Sequence, residues 1–318
     1  MRALTKKNLM ILGSILLTFI IVQALLLVGI LDSFHEITIS TICINIILAV
    51  SLNLVTGFTG QLSLGHAGFM SIGAYVCALI SMRMMSTQGF LIGVLTGALV
   101  AAFIGILIGI PTLRLKGDYL AIATLGMAEI IRVVFLNLEI TNGAAGLNGI
   151  PRFTNWLWLY FFTVTAVVLI NNFIKSSHGR ACIAIREDEI AAESMGINTT
   201  KYKVIVFAIS AFFGGLAGGL YSSYFYFLKP DLFGFMKSVD ILVIVVLGGL
   251  GSVTGSIIAA ILLGLITTFL QSFTAVRMIV YAVLLVLIMI FRPSGIMGSK
   301  EINDLFKFRF GKKEERIE

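Results

Sequence analysis

Long apolar runs separated by short polar breaks organise this chain. They lie near 9–31, 37–55, 63–82, 90–110, 118–137, 156–174, 204–227, 238–250, 255–272 and 277–291. Most approach the roughly 20 residues that a helix needs to cross about 30 Å of hydrocarbon. Strands of a membrane barrel would be shorter and would alternate apolar with polar positions. The pattern therefore predicts an all-α, polytopic membrane protein of about ten transmembrane helices, with residues 1–298 as one transmembrane domain and 299–318 as a tail. The first run follows Arg2, Lys6 and Lys7, as a signal peptide would. Its length, and the lack of a small-x-small cleavage site after it, favour a retained span.

Two breaks, at 57–65 and 248–255, are so short that they barely leave the bilayer. They share a Gly- and Ser-rich texture, GFTGQLSLG and GGLGSVTG. Broken helices inside a membrane are tolerated where they are buried in protein or line a cavity, so both breaks are candidates for a pathway wall. Glycines also recur at four-residue spacing, as in Gly93/Gly97, Gly105/Gly109, Gly214/Gly218, Gly215/Gly219 and Gly251/Gly255. Small residues at that spacing let helix backbones approach closely, and packing is the expected use here.

One sizeable segment breaks the apolar pattern. Residues 179–203, GRACIAIREDEIAAESMGINTTKYK, hold four acidic side chains (Glu187, Asp188, Glu189, Glu193) and four basic ones (Arg180, Arg186, Lys201, Lys203). It is a helix-prone run ending at Gly196, and its near-neutral charge suits contact with a protein better than with nucleic acid or lipid headgroups.

Composition sharpens the class. Of 318 residues 58% are hydrophobic and 12% charged, against about 25% charged in soluble domains, and the mean hydropathy is +1.02. With ten spans and both termini on one side, 17 Lys and Arg residues fall on the inner segments and five on the outer ones, with Arg132 inside a span. That bias predicts cytoplasmic termini and a cytoplasmic 175–203 segment. It also accounts for the net charge of +7 without any nucleic-acid partner. Cys43, Cys77 and Cys182 are far apart and suggest neither disulfides nor a metal site.

Enzymatic signatures are missing. Gly311-Lys312-Lys313 resembles the end of a phosphate-binding loop, but Phe306 stands where the first glycine belongs and Lys313 where Ser or Thr would bind Mg²⁺. His35, His66 and His178 are isolated. Transport candidates are better placed. Asn53, Gln61, Ser63 and His66 cluster at the first break, where they either line a path for a small zwitterion or satisfy backbone groups freed by the glycines. Glu129 and Arg132, three residues apart on one helix face, read as an ion pair packed near the outer end, with a place on the substrate path as the alternative. Lys237 and Asp240 have the same spacing and read as a surface pair at the outer interface. Few other carboxylates lie in the spans, so a proton-relay carrier is disfavoured.

Several stretches resemble the LivM-type permeases of branched-chain amino-acid ABC importers. They are LNLVTGFTGQLSLGHAGFMSIGAY (52–75), PTLRLKGDYLAIATLGMAEIIR (111–132), TNGAAGLNGIP (141–151), GRACIAIREDEIAAESMGIN (179–198) and VVLGGLGSVTGSIIAA (245–260). Urea and short-amide permeases are similar. The resemblance implies a non-enzymatic transport subunit without cofactors in a bacterial inner or plasma membrane. It also implies a second, related permease chain, two cytoplasmic ATPases and an external substrate-binding protein. The family's coupling-loop pattern falls on Ala191, Ala192 and Gly196, with Ile190 in place of its leading Glu. Arg186, Glu187, Glu189 and Glu193 would then join them in contacting an ATPase. An ion-coupled amino-acid carrier is the rival reading.

Overall fold

The computed structural model describes residues 17–25, 32–115, 117–270 and 295–298, together with residues 13, 283, 286, 290 and 291. Residues 17–25 are helical, within the first expected span. The rest of that span, most of 277–291 and the 299–318 tail lie outside the described residues.

Six described helices are long and apolar enough to cross a membrane. In chain order they are α1 (Ser33–Thr56), α2 (His66–Met84), α3 (Thr87–Thr112), α4 (Asp118–Asn137), α5 (Trp156–Lys175) and α8 (Thr199–Phe225). The segment between α5 and α8 holds α6 (Ser177–Glu187) and α7 (Glu189–Ser194), and α9 (Phe235–Gly248) and α10 (Val253–Phe269) follow α8. The expected short span at 238–250 is the 14-residue α9. The start of the 63–82 run is not helical: residues 60–65 are non-helical, and α2 begins only at His66.

Helix α8 is the axis of the bundle, packed on α1, α2 and α3. Glycine makes these crossings possible. A Cβ on Gly73 of α2 would overlap the Gly215 carbonyl of α8, and one on Gly218 would overlap the Met70 carbonyl. Gly97 of α3 completes the contact, its Cβ position lying 2.8 Å from the Gly73 carbonyl oxygen. The four-residue glycine pairs on α3 and α8 are therefore packing surfaces, Gly73 is a central member outside those pairs, and Gly251 lies instead in a turn at φ 87°. Large side chains point the other way: Leu95, Leu99 and Phe103 of α3, and Ile122 and Ile130 of α4, are exposed. Small residues inward and large apolar residues outward is the arrangement expected where lipid is the solvent.

The polar breaks sort to two ends. At one end Arg152 pairs with Glu36 at 2.8 Å and Arg132 with Asp231 at 2.8 Å. There also β1 (Leu147–Asn148) pairs antiparallel with β2 (Phe227–Leu228). These are the segments expected outside. The 57–65 and 249–252 breaks and α6–α7 gather at the other end, where the sequence places the cytoplasm.

Candidate functional site

The polar segment, expected as one helix-prone run ending at Gly196, folds as two helices, Ser177–Glu187 and Glu189–Ser194. Asp188 takes an extended backbone (φ −156°, ψ 111°) and its carboxylate accepts hydrogen bonds from the Ile190 and Ala191 amides at 2.9 and 3.0 Å. It therefore ends α6 and caps α7, satisfying amides that the first turn leaves without partners. Gly196 then closes α7 at φ +82° with no neighbour within 4 Å of its Cβ position. Its role is conformational, because only a residue without Cβ enters that region cheaply.

Two contacts made by charged side chains help join this segment to the membrane helices. Arg186 donates from Nη1 to the Gly57 carbonyl at 2.9 Å and pairs with Glu187 through Nη2. Its guanidinium also lies against Gly251, where a Cβ would come within 2.8 Å of Nη1. Lys203, near the start of α8, is buried and pairs with Glu189 of α7 at 2.6 Å. Glu189→Gln leaves that ammonium without a charged partner. Removing one partner of a fully buried pair costs about 3–5 kcal/mol. Glu189 is partly exposed, so about 1–3 kcal/mol is expected, read as a lowered thermal midpoint of the purified protein in detergent.

The two breaks that share a composition meet in space. Asn53 of α1 donates from Nδ2 to the Ser252 carbonyl and to Ser256 Oγ, both at 2.8 Å, and its Oδ1 accepts from the Gly251 amide at 2.9 Å. One amide side chain thus uses both donors and its oxygen to clamp the 249–252 turn, which is possible because Gly249 and Gly251 adopt φ of 111° and 87°. Arg186 closes the same junction from the polar segment.

The other candidates divide. His66 is buried and shares a 2.9 Å hydrogen bond with Ser51 Oγ. Ser63 is buried, and its hydroxyl accepts from the Gly65 amide at 3.4 Å. Gln61 is buried with neither amide atom hydrogen-bonded among the described residues. It lines a cavity of about 240 Å³ shared with Leu115, Arg186, Glu187, Glu189 and Lys203. Glu129 and Arg132 are bonded at 2.7 Å at the opposite end, with Asp231 as a third partner.

Of the polar segment itself, Ala192 is buried while Ala191, Glu193 and Gly196 are exposed. Two apolar side chains stand out in the same helical turns: Ile190 is 74% exposed and Met195 83%. Charge counting passed over Met195. An apolar residue in a polar run with no core to enter is the signal that would have found it. Cys182 is packed beside Thr59 of the first break, and burial pushes its thiol up to about 11, so it serves as neutral packing.

Comparison with known proteins places these features. Residues 35–291 match the family model described as branched-chain amino acid transport system / permease component. The high-affinity branched-chain amino acid transport system permease protein LivM of Salmonella typhimurium is 39% identical over 289 residues, covering 80% of this chain and 68% of that protein. LivM of Escherichia coli is equally similar. The permease protein LivH of Escherichia coli is 26% identical over 294 residues, covering 80% of this chain and 92% of that protein. No solved structure matches the chain.

Proposed function

Since this chain belongs to the branched-chain amino acid transport permease family, we propose that it is a membrane-spanning subunit of an ATP-driven importer for leucine, isoleucine and valine. It works with a second, related permease, two cytoplasmic ATPases and an external binding protein. The family favours this reading over a urea or short-amide permease and over an ion-coupled carrier.

The observation that carries the mechanism is the double attachment of the polar segment. An ATPase that moves α7 pulls Lys203 and so α8, the axis of the bundle. Through Arg186 it also pulls the Gly57 and Gly251 backbones, where the two broken helices join. One displacement at the inner end is thereby delivered to α1, α8, α9 and α10 together, as rigid-body rocking of packed helices requires. Arg186 and Glu189 serve as tethers inside the subunit. Ile190, Ala191, Glu193, Met195 and Gly196 form the surface offered to the ATPase, with Glu187 at its edge.

Replacing both Ile190 and Met195 by glutamate tests this. Buried apolar anchors dominate protein contacts at about 2 kcal/mol or more each, so recovery of the ATPase with the tagged permease is expected to fall at least about 30-fold. Unchanged recovery, with leucine uptake intact, would remove α7 as the docking element. Uptake of labelled urea in place of leucine by the wild-type complex would keep the architecture and change the substrate.

A further inference from the structure

Two cavities adjoin at the first break. The one of about 240 Å³ that Gln61 lines shares Gly60, Leu62 and Arg186 with a second of about 470 Å³, whose other walls are Thr56, Gly57 and Leu250. Arg186 therefore belongs to the wall between them. Its stem packs on Gly60, where a Cβ would come within 3.1 Å of Cγ, and Nη1 holds the Gly57 carbonyl.

The same break carries buried polar groups without partners. Gln61 is 4% exposed and Thr56 6%, and among the described residues neither amide atom of Gln61 nor the Thr56 hydroxyl makes a hydrogen bond. All three atoms are covered from solvent as well. Nearby side chains are satisfied: Thr59 donates to the Leu54 carbonyl at 3.0 Å, and Ser63 accepts from the Gly65 amide at 3.4 Å. Folded proteins pair nearly all buried polar groups, so this cluster needs a physical cause. A second arrangement of the break, in which the groups are paired, supplies one.

We propose that the 57–65 break is the inner gate of this subunit, latched here by Arg186, and that Gln61 and Thr56 are placed to favour its opening. The proposal rests on the importer reading above, in which an ATPase moves the polar segment. When α7 is drawn away, Arg186 leaves the shared wall, the two cavities join, and water reaches the Gln61 amide and the Thr56 hydroxyl. Opening thus gains hydrogen bonds that the latched state denies. Latching gains the bond from the Arg186 guanidinium to the Gly57 carbonyl. A hydrogen bond from a charged donor and a buried unpaired amide have effects of similar size, so the two states lie close in free energy. A modest pull on α7 then moves the population from one to the other.

The test uses the complete importer in proteoliposomes with its inner face outward, the Gln61→Cys substitution and a membrane-impermeant thiol reagent. Wild type is the blank, since Cys43, Cys77 and Cys182 are buried. Labelling at position 61 should differ at least about 10-fold in rate between nucleotide-free complexes and complexes held with ATP by blocked hydrolysis. Adding Arg186→Ala should give the faster rate in both. Equal rates in the two states, or an unchanged difference with Arg186→Ala, would overturn the gate. Gln61→Leu separates the bias from ordinary packing. An apolar side chain of similar size needs no partner, so the thermal midpoint of the purified protein should rise by about 2 °C or more. Leucine uptake should fall about 10-fold, because the gate then stays latched. A midpoint that falls together with uptake would make Gln61 a packing residue and overturn its part in the proposal. A wild-type complex that shows both labelling rates but imports no leucine would sink the importer reading and leave the gate standing.

Discussion

Asn53→Leu is expected to be among the most damaging single substitutions in this chain, lowering stability by about 3 kcal/mol or more. The leucine is of similar size but makes none of the three hydrogen bonds with which Asn53 holds the 249–252 turn and Ser256. The Gly251 amide is then buried without an acceptor, at a cost of about 1–3 kcal/mol. The Ser252 carbonyl keeps the bonds from Ser256 Oγ at 3.0 Å and from the Ser256 amide at 3.2 Å. The rest of the loss comes from the turn itself. Its positive-φ glycines have no regular ladder to hold them, so without the clamp the α9–α10 connection loses its fixed position against α1. Thermal unfolding in detergent reads the loss. Ser256→Ala, which removes one acceptor, should cost only about 1 kcal/mol. Equal midpoints for Asn53→Leu and wild type would mean that the two breaks are held by something else.

The second large effect is expected at Gly73. A valine there must displace the Gly215 carbonyl on α8, which lies within overlap distance even of a Cβ. Overpacking a fitted core costs about 1–3 kcal/mol when side chains can yield. Here the obstacle is backbone on a central helix, so at least about 3 kcal/mol and a sharp fall in folded protein recovered from membranes are expected. Gly126 is the control. It lies in α4 with nothing within 4 Å of its Cβ position, and Gly126→Ala should be neutral or stabilising by up to about 1 kcal/mol through helix propensity. Similar losses at both positions would show that glycine matters in these helices for some property other than close approach.

The sequence made the spans legible because lipid imposes one rule on every crossing, a helix of about 20 apolar residues. The polar segment was legible for the same reason, since charge is excluded from the interior. What the sequence concealed was contact between distant residues. Asn53 and Ser252 are 199 positions apart, and no local pattern indicates that one amide serves both breaks. The contacts of Arg186 with the Gly57 carbonyl and of Glu189 with Lys203 were concealed likewise. Whether a charge on a short helix meets a partner protein or its own bundle depends on how α6 and α7 are split, and that is decided by the backbone of Asp188. Ile190 and Met195 were visible as letters, but they gain meaning only once their exposure is known.

The account centres on an ATP-fed machine whose inner polar segment drives the helices. Its most direct test is leucine uptake by the reconstituted complex with ATP supplied and the proton and sodium gradients collapsed by ionophores. Uptake that continues at its full rate under these conditions, and stops when ATP is withdrawn, is the predicted result. Uptake that disappears with the gradients while ATP is maintained would contradict the account and make the chain an ion-coupled carrier.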